Sequence, residues 1–172
     1  AYVATCKTLF YFFPQRFTSI LSHVGYYEYA SAFAKKKLSN IKHNHKQHII
    51  LMLGLLIIFL IGSITLGPFI YNLWLNNRFD LSFILLLLII FDVSIYSLKS
   101  SVIILLSSLN KNFTINIIEL IIMLIAMLIS YYLLSLGYSF IFNFLIILIG
   151  SFFTFIISIL LMNRFYKNVS SY

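Results

Sequence analysis

Among the ionisable side chains, Arg16, Asp92, Lys99 and Glu119 lie inside stretches of the sequence that are otherwise apolar. None of them belongs to a pattern that performs covalent chemistry, because the sequence has no phosphate-binding glycine loop, zinc-protease motif, serine nucleophile elbow or paired cysteines. An isolated charge in an apolar helix is typical of a residue that binds an ion or a substrate, or that pairs with an opposite charge. We therefore expect a binding or transport protein and not an enzyme.

Asp92 and Lys99 lie seven residues apart, with Tyr96 between them on the same helical face. Along a helix this spacing is roughly 10 Å, which is too long for a direct salt bridge. Glu119 lies at nearly the depth of Lys99 on the next helix, so Lys99–Glu119 is the structural pair that we expect, and contact with an anionic substrate is the alternative. Asp92 has no such neighbour and lies near the membrane midplane. We interpret it as a residue that binds a coupling cation.

The first segment, residues 1–24, carries a polar stripe along one helical face. Gln15 stands on this stripe, and Arg16 and His23 lie close beside it. Pro14 would bend a spanning helix, which a membrane tolerates where the helix lines a cavity. We predict a spanning helix whose polar face lines a lumen, where the Arg16 guanidinium can bind a carboxylate or a phosphate through two hydrogen bonds. A helix lying in the membrane interface is the alternative.

The elements that position these side chains are predicted to be membrane-spanning helices. The chain has 172 residues, is 62% hydrophobic, contains only four acidic residues and has a mean hydropathy of +1.01, which excludes a soluble domain. Apolar stretches at about 49–71, 82–107, 113–136 and 140–162 each reach the ~20 residues that a helix needs to cross a bilayer. Together with residues 1–24, they predict an all-α polytopic bundle of about five spans that forms a single lobe over residues 1–172.

The segment AKKKLSNIKHNHKQH, residues 34–48, predicts the orientation of these spans. It holds five of the nine lysines in the chain, and Lys111, Arg164 and Lys167 fall on the same side of the predicted membrane. Arg78 alone falls on the other side. Because positive residues are retained inside the cell, we expect loop 34–48 and the C-terminus to be cytoplasmic, in a multi-pass protein of the inner (plasma) membrane.

Segment 34–48 has two other interpretations, a zinc site and a nucleic-acid-binding segment. His43, His45 and His48 could bind zinc in principle, but no Cys, Asp or Glu accompanies them and their spacing matches no common site. Nucleic-acid binding lacks aromatic residues that could stack on bases, and the segment lies between membrane spans. We therefore predict no metal site and no nucleic-acid partner.

Four further stretches combine turn residues with aromatic or basic residues at the ends of predicted spans. LGPFIYNLWLNNRF (66–79) is an apolar helix that ends in Gly-Pro before an aromatic loop, and SSLNKNFTINIIELI (107–121) is a short basic turn with asparagines that enters a helix. YYLLSLGYSFIF (131–142) is a short turn before the last helix, and VGYYEYASAFAKKK (24–37) ends a span before a basic loop. In this order, the four stretches resemble the C-terminal part of a polysaccharide (O-antigen repeat-unit) flippase, a family related to multidrug-and-toxin extrusion transporters.

The resemblance implies the second lobe of a two-lobe, alternating-access transporter, truncated at its N-terminus. Such a protein moves a polyprenyl-pyrophosphate-linked sugar repeat unit from the inner to the outer leaflet. The implied partners are this lipid-linked oligosaccharide, membrane lipids and a first lobe of the same protein. In such relatives the lumen is cationic, and Arg16 and Lys99, with Gln15 and His23, are the residues that could line it here. No cofactor is implied. Asp92 could bind a cation that couples transport to a proton or sodium gradient, or it could neutralise a lysine of the first lobe.

Two alternatives to a flippase follow from the same sequence. A cation-coupled antiporter of small molecules with the same fold would be expected to carry more acidic residues in its lumen than Asp92 and Glu119. A small membrane protein that scaffolds partners and transports nothing would have a start codon close to Ala1, and no flux would depend on Arg16.

Overall fold

The structure, a computed structural model, describes residues 2–75 and 82–169, with the side chains of residues 7–37, 39–75 and 82–167. Over these residues the backbone forms helices and no strand, so the predicted all-α fold class is confirmed. The described helices are α1 (Tyr2–Ala34), α2 (Leu38–Thr65), α3 (Gly67–Leu75), α4 (Phe83–Ser108), α5 (Phe113–Ser135) and α6 (Phe140–Val169).

Four helices in the described part of the chain are long and apolar enough to cross a membrane. They are the segments Ser39–Thr65, Phe83–Ser108, Phe113–Ser135 and Phe140–Lys167. The second and third agree closely with the predicted spans 82–107 and 113–136. The fourth begins at residue 140 as predicted but extends to Lys167, beyond the predicted end at 162. The chain is therefore a multi-pass membrane protein, as its composition predicts.

The predicted span 49–71 and the predicted loop 34–48 have different boundaries in the structure. Residues 35–37 alone connect α1 to α2, and α2 already begins at Leu38, so most of the basic segment is helical. The reason is an inward-facing stripe within this segment, where Ile41 and His45 are buried while Lys42 and Lys46 remain exposed. At the other end, α2 stops at Thr65 and the chain continues into the separate short helix α3.

The predicted first span, residues 1–24, is part of the longer helix α1. Because α1 contains polar residues, it is not among the four helices that are apolar enough to cross a membrane. Even so, α1 runs along the height of the bundle beside α4, because Phe10 belongs to the buried cluster at one end of α4 and Tyr29 to the cluster at the other. We therefore treat α1 as the fifth helix of the bundle.

Helix α4 lies at the centre of the bundle and packs against α1, α2 and α6. Small polar side chains allow these close contacts, since Ser97, Ser101 and Thr154 are fully buried, and the Thr18 hydroxyl of α1 donates a hydrogen bond of 3.2 Å to Ser97 Oγ. Helix α5 packs instead along α6 and makes little contact with α4. Most of the α5 surface is exposed and apolar, which suits contact with lipid chains.

Two apolar clusters fill opposite ends of the bundle. One cluster includes Phe10, Tyr71 and Ile89, and the other includes Tyr29, Leu105 and Phe165. The second cluster lies at the end formed by the α1–α2 connection, the α4–α5 turn and the last turns of α6, which we call the basic end. Between the two clusters, the middle of α4 carries polar and charged residues.

A close approach between α1 and α2 at Gly25 predicts the effect of a substitution. A Cβ atom added at Gly25 would lie 2.9 Å from His48 Nδ1 and 3.2 Å from the Tyr29 ring, whereas one added at Gly54 would meet no atom within 4 Å. We expect Gly25→Ala to lower the free energy of unfolding by about 1 kcal/mol or more because of overpacking. Gly54→Ala is the matched control and should be neutral or raise it by up to about 1 kcal/mol, since alanine favours helices.

Thermal unfolding of the full chain in detergent, followed by circular dichroism, measures both changes. Equal stability of the two variants would contradict the close packing of α1 on α2.

Candidate functional site

A partly open cavity of about 350 Å³ lies between α1, α4, α5 and α6. We call it the central cavity. It exists because α5 packs on α6 and leaves a gap beside α4. Its polar lining consists of Lys7, Tyr11, Asp92, Tyr96, Lys99, Ser100, Glu119 and Ser151. The structure therefore brings Asp92, Lys99 and Glu119 together around one cavity. For Asp92 and Lys99 this agrees with the prediction that they share one face of their helix.

Asp92 is held by two side chains of α1. Lys7 Nζ lies 3.4 Å from Asp92 Oδ2, and the Tyr11 hydroxyl donates a hydrogen bond to the same oxygen. Lys7 and Tyr11 are four residues apart, so both project from one face of α1 towards α4. The expectation that Asp92 lacks a neighbour in this chain is wrong. The sequence did contain a signal, namely a lysine and a tyrosine at helical spacing in an apolar segment, but nothing local indicated that this face would meet Asp92.

Lys7 is also held by aromatic rings. Its Nζ lies 5.2 Å from the centroid of the Tyr11 ring and 5.1 Å from that of Phe144 on α6, within the range of cation–π attraction. These contacts hold Lys7 at the cavity although its side chain is 40% exposed. Asp92 is only 9% exposed, and a buried carboxylate is retained at low cost only when it is paired and hydrogen-bonded in this way.

Lys99 and Glu119 form the second ion pair of the central cavity. Lys99 Nζ lies 2.6 Å from Glu119 Oε1, so the pair expected from the depths of the two residues is present. The Lys99 side chain is 10% exposed and that of Glu119 is 29% exposed. Because α4 and α5 otherwise make little contact, this pair is a principal polar link between them.

The two pairs balance the formal charge of the central cavity. Lys7 and Lys99 contribute two positive charges, and Asp92 and Glu119 contribute two negative charges. An incoming anion must therefore compete with a carboxylate for its lysine, and an incoming cation must compete with a lysine for its carboxylate. The central cavity thus differs from the cationic lumen that the resemblance implies.

Arg16, Gln15 and His23 do not line the central cavity. All three are exposed on the surface of α1, and the Arg16 guanidinium lies 5.5 Å from the centroid of the Phe12 ring. The face of α1 that packs on α4 carries Phe10 and Thr18 instead. Periodicity shows which residues share a face but not which face is buried. A role of these three residues in binding substrate stays a prediction.

The three histidines of segment 34–48 do not share a site. His43 is exposed, whereas His45 is 2% exposed and points into the bundle. His45 Nε2 lies 3.2 Å from the carbonyl oxygen of Ser101, and the Tyr166 hydroxyl lies 2.7 Å from His45 Nδ1. Both ring nitrogens are thus engaged by protein groups, and the imidazole links α2 to α4 and α6. Over residues 2–75 and 82–169, no group of three or more His, Cys, Asp or Glu side chains could hold a metal ion.

No model of a known protein family, no curated protein and no solved structure matches this chain. The activity of the protein must therefore be inferred from the central cavity, its two ion pairs and the helices that carry them.

The Lys99–Glu119 pair predicts coupling between two substitutions. We expect Lys99→Met and Glu119→Gln each to lower the free energy of unfolding by about 1–2 kcal/mol, because each leaves an uncompensated charge or an unused donor. The double variant should lose less than the sum, by roughly 1 kcal/mol, since the interaction is lost only once. Denaturation of the full chain in detergent measures all three.

The control replaces Lys46, which is exposed on α2, in the same cycle with Glu119. Lys46→Met and Glu119→Gln should be additive. Additivity for Lys99 and Glu119 as well would show that the pair contributes nothing to stability.

Proposed function

We propose that this chain is part of a membrane transporter and that the central cavity belongs to its substrate pathway. The observation that supports this proposal is the presence of two ion pairs around a partly open cavity inside a bundle of apolar helices. Charged side chains are costly within a membrane, and where they occur they typically line a pathway for ions or substrates. A protein that only scaffolds partners has no need for such a cavity.

The depth of the central cavity supports the same proposal. Asp92 lies nine residues after the first residue of α4, and Lys99 lies nine residues before the last. At the rise of a helix, each residue is roughly 14 Å from its end of α4, so the two side chains straddle the middle of the span. Transporters usually hold their substrates and coupling ions at this depth, between helices that can move relative to each other.

The two ion pairs supply contacts that a transport cycle can break and re-form. Lys7–Asp92 links α1 to α4, and Lys99–Glu119 links α4 to α5. A substrate with negative charge can replace a carboxylate beside a lysine and thereby release one helix from another. A ligand that binds better to the released state shifts the population towards it, which is the requirement for alternating access.

The substrate class that we propose is a lipid-linked oligosaccharide with a pyrophosphate group, moved from the inner to the outer leaflet. The resemblance to polysaccharide flippases supports this class, and the two lysines of the central cavity offer partners for phosphate oxygens. A volume of about 350 Å³ accommodates a pyrophosphate and a first sugar rather than a whole repeat unit. The remainder of the substrate would extend beyond this lobe.

A cation-coupled antiporter is the second candidate, and one observation favours it. Asp92 is buried, accepts a hydrogen bond from Tyr11 and has a lysine as its only described ion-pair partner. A proton or sodium ion that replaces Lys7 would keep the carboxylate neutralised. Both candidates share the central cavity and differ in what is carried.

Flux measured across a lipid bilayer tests the proposal. The full-length protein is reconstituted into vesicles with a fluorescent polyprenyl-pyrophosphate-linked sugar, and a membrane-impermeant quencher reports its movement between leaflets. Lys99→Gln should slow this movement at least about tenfold, since one lost charged contact is worth roughly that factor. Lys42→Gln, which removes an equal charge from an exposed position on α2, should not change it.

Movement no faster than in protein-free vesicles would contradict lipid-linked oligosaccharide as the substrate. Unchanged movement in Lys99→Gln would remove the central cavity from the pathway. An antiporter would instead show uptake of a small cation driven by an imposed proton or sodium gradient, which Asp92→Asn should abolish.

Arg16 permits a separate test of the resemblance. If its exposed guanidinium faces substrate in the full-length protein, Arg16→Ala should abolish surface glycan while membrane insertion stays intact. Normal surface glycan at normal protein levels would place Arg16 outside the substrate path. Lys46→Ala, which removes a positive charge from an exposed position on α2, is the control for the loss of charge.

A further inference from the structure

A second pocket, of about 310 Å³, lies at the basic end of the bundle. It is formed by the last residues of α4, the α4–α5 turn, the first residues of α5 and the last turns of α6, and we call it the end pocket. It shares no lining residue with the central cavity. We propose that the end pocket binds the phosphate-bearing headgroup of an anionic membrane lipid. This inference goes beyond the transport function and does not depend on it.

Two cations line the end pocket without a carboxylate beside them. Lys111 comes from the turn and Arg164 from α6, and neither forms an ion pair with any acidic side chain that the structure describes. By contrast, Lys7 and Lys99 in the central cavity are each paired. Among the described residues, Lys111 Nζ contacts the Phe165 ring, whose centroid lies 4.8 Å away. Positive charge in the end pocket is therefore available to an anion from outside the chain.

The backbone of the turn fixes the position of Lys111. Asn110 adopts a left-handed conformation, with φ of 55°, and its N–H donates to Ser107 O at 3.0 Å. The Lys111 N–H donates to Leu106 O at 2.8 Å, which closes the end of α4. Because these bonds hold the turn, Lys111 is presented at the rim of the pocket by a defined backbone conformation.

The start of α5 borders the same pocket. Asn112 precedes the helix, but its side chain makes no capping hydrogen bond. The N–H groups in the first turn of a helix have no partner within the helix and favour a negatively charged acceptor. Thr114, in that first turn, lines the end pocket together with the two cations. A phosphate group bound at the two cations would thus lie beside the N-terminus of α5, whose dipole favours negative charge.

The remaining walls of the end pocket are apolar, which distinguishes a lipid from free phosphate. Leu106, Phe113, Leu161 and Phe165 form these walls, and Phe113 is 74% exposed. Since α4 and α5 are both candidate spans that end here, the turn between them lies at the level of lipid headgroups. A lipid would place its phosphate at the basic rim and its acyl chains along the phenylalanines, whereas inorganic phosphate would use the rim alone.

Native mass spectrometry of the full chain in detergent tests the proposal. The probes are dioleoylphosphatidylglycerol, dioleoylphosphatidylcholine and inorganic phosphate, each titrated separately. We expect one phosphatidylglycerol to bind in preference to phosphatidylcholine. The variant Lys111→Gln/Arg164→Gln should bind it about thirtyfold more weakly. The loss of each cation weakens binding of the headgroup about fivefold, and the two losses multiply.

Matched variants separate a site from general attraction between charges. Lys42→Gln/Lys46→Gln removes two exposed lysines from the same end of the bundle and should bind phosphatidylglycerol as the unchanged protein does. Lys111→Arg/Arg164→Lys keeps both charges and should also retain the lipid. Circular dichroism must show equal helix content in all variants, and if the neutral double variant loses helix, Arg164→Gln alone replaces it.

Three results would overturn the proposal. The first is equal binding of phosphatidylglycerol and phosphatidylcholine to the unchanged protein. The second is an equal loss of phosphatidylglycerol in the Lys111/Arg164 and Lys42/Lys46 variants, which would indicate attraction without a site. The third is saturation by inorganic phosphate that displaces the lipid, which would assign the pocket to a soluble phosphate compound.

Discussion

The fold depends on the need to neutralise two charges at the middle of α4. Asp92 and Lys99 lie near the middle of a span among apolar helices, where an unpaired charge is destabilising. α1 brings Lys7 to Asp92, and α5 brings Glu119 to Lys99. The charged side chains of α4 therefore each have an oppositely charged partner on a neighbouring helix. Apolar contacts hold the two ends of the bundle together.

The central cavity results from a difference in how closely the neighbouring helices approach α4. Small buried residues such as Ser97 and Thr154 let α1 and α6 approach α4 closely, so the apolar clusters close at both ends. α5 packs on α6, where a Cβ added at Gly150 would lie only 3.3 Å from the Ala126 Cβ. Glu119 then reaches Lys99 across a gap rather than through close helix contact. The polar middle of the bundle stays partly open as a result, and this opening is what suggests transport.

The cationic side chains have carboxylate partners in the central cavity but no described ones in the end pocket, and this difference separates the roles that we propose for the two pockets. In the central cavity every lysine has a carboxylate, so binding a ligand there exchanges one partner for another and can move helices. In the end pocket Lys111 and Arg164 face a concave, partly apolar surface with no described carboxylate partner. A ligand there adds an interaction without breaking one, which is typical of a site that anchors a protein to its membrane.

The sequence by itself determined the all-α membrane fold, the positions of α4 and α5 and the start of α6, and it predicted the Lys99–Glu119 pair against the alternative of contact with substrate. Hydropathy and helical periodicity are local properties, and these two residues are joined by a short turn that fixes their relative depth. Only the tertiary structure decided that Lys7 and Tyr11 meet Asp92, that Arg16 lies outside the central cavity, that His45 turns inward and that α5 stands away from α4. Each of these depends on which face of a helix packs against a helix distant in the chain. The face that packs is determined by how many side chains from several helices fit together, so it cannot be predicted from the residue spacing within one segment.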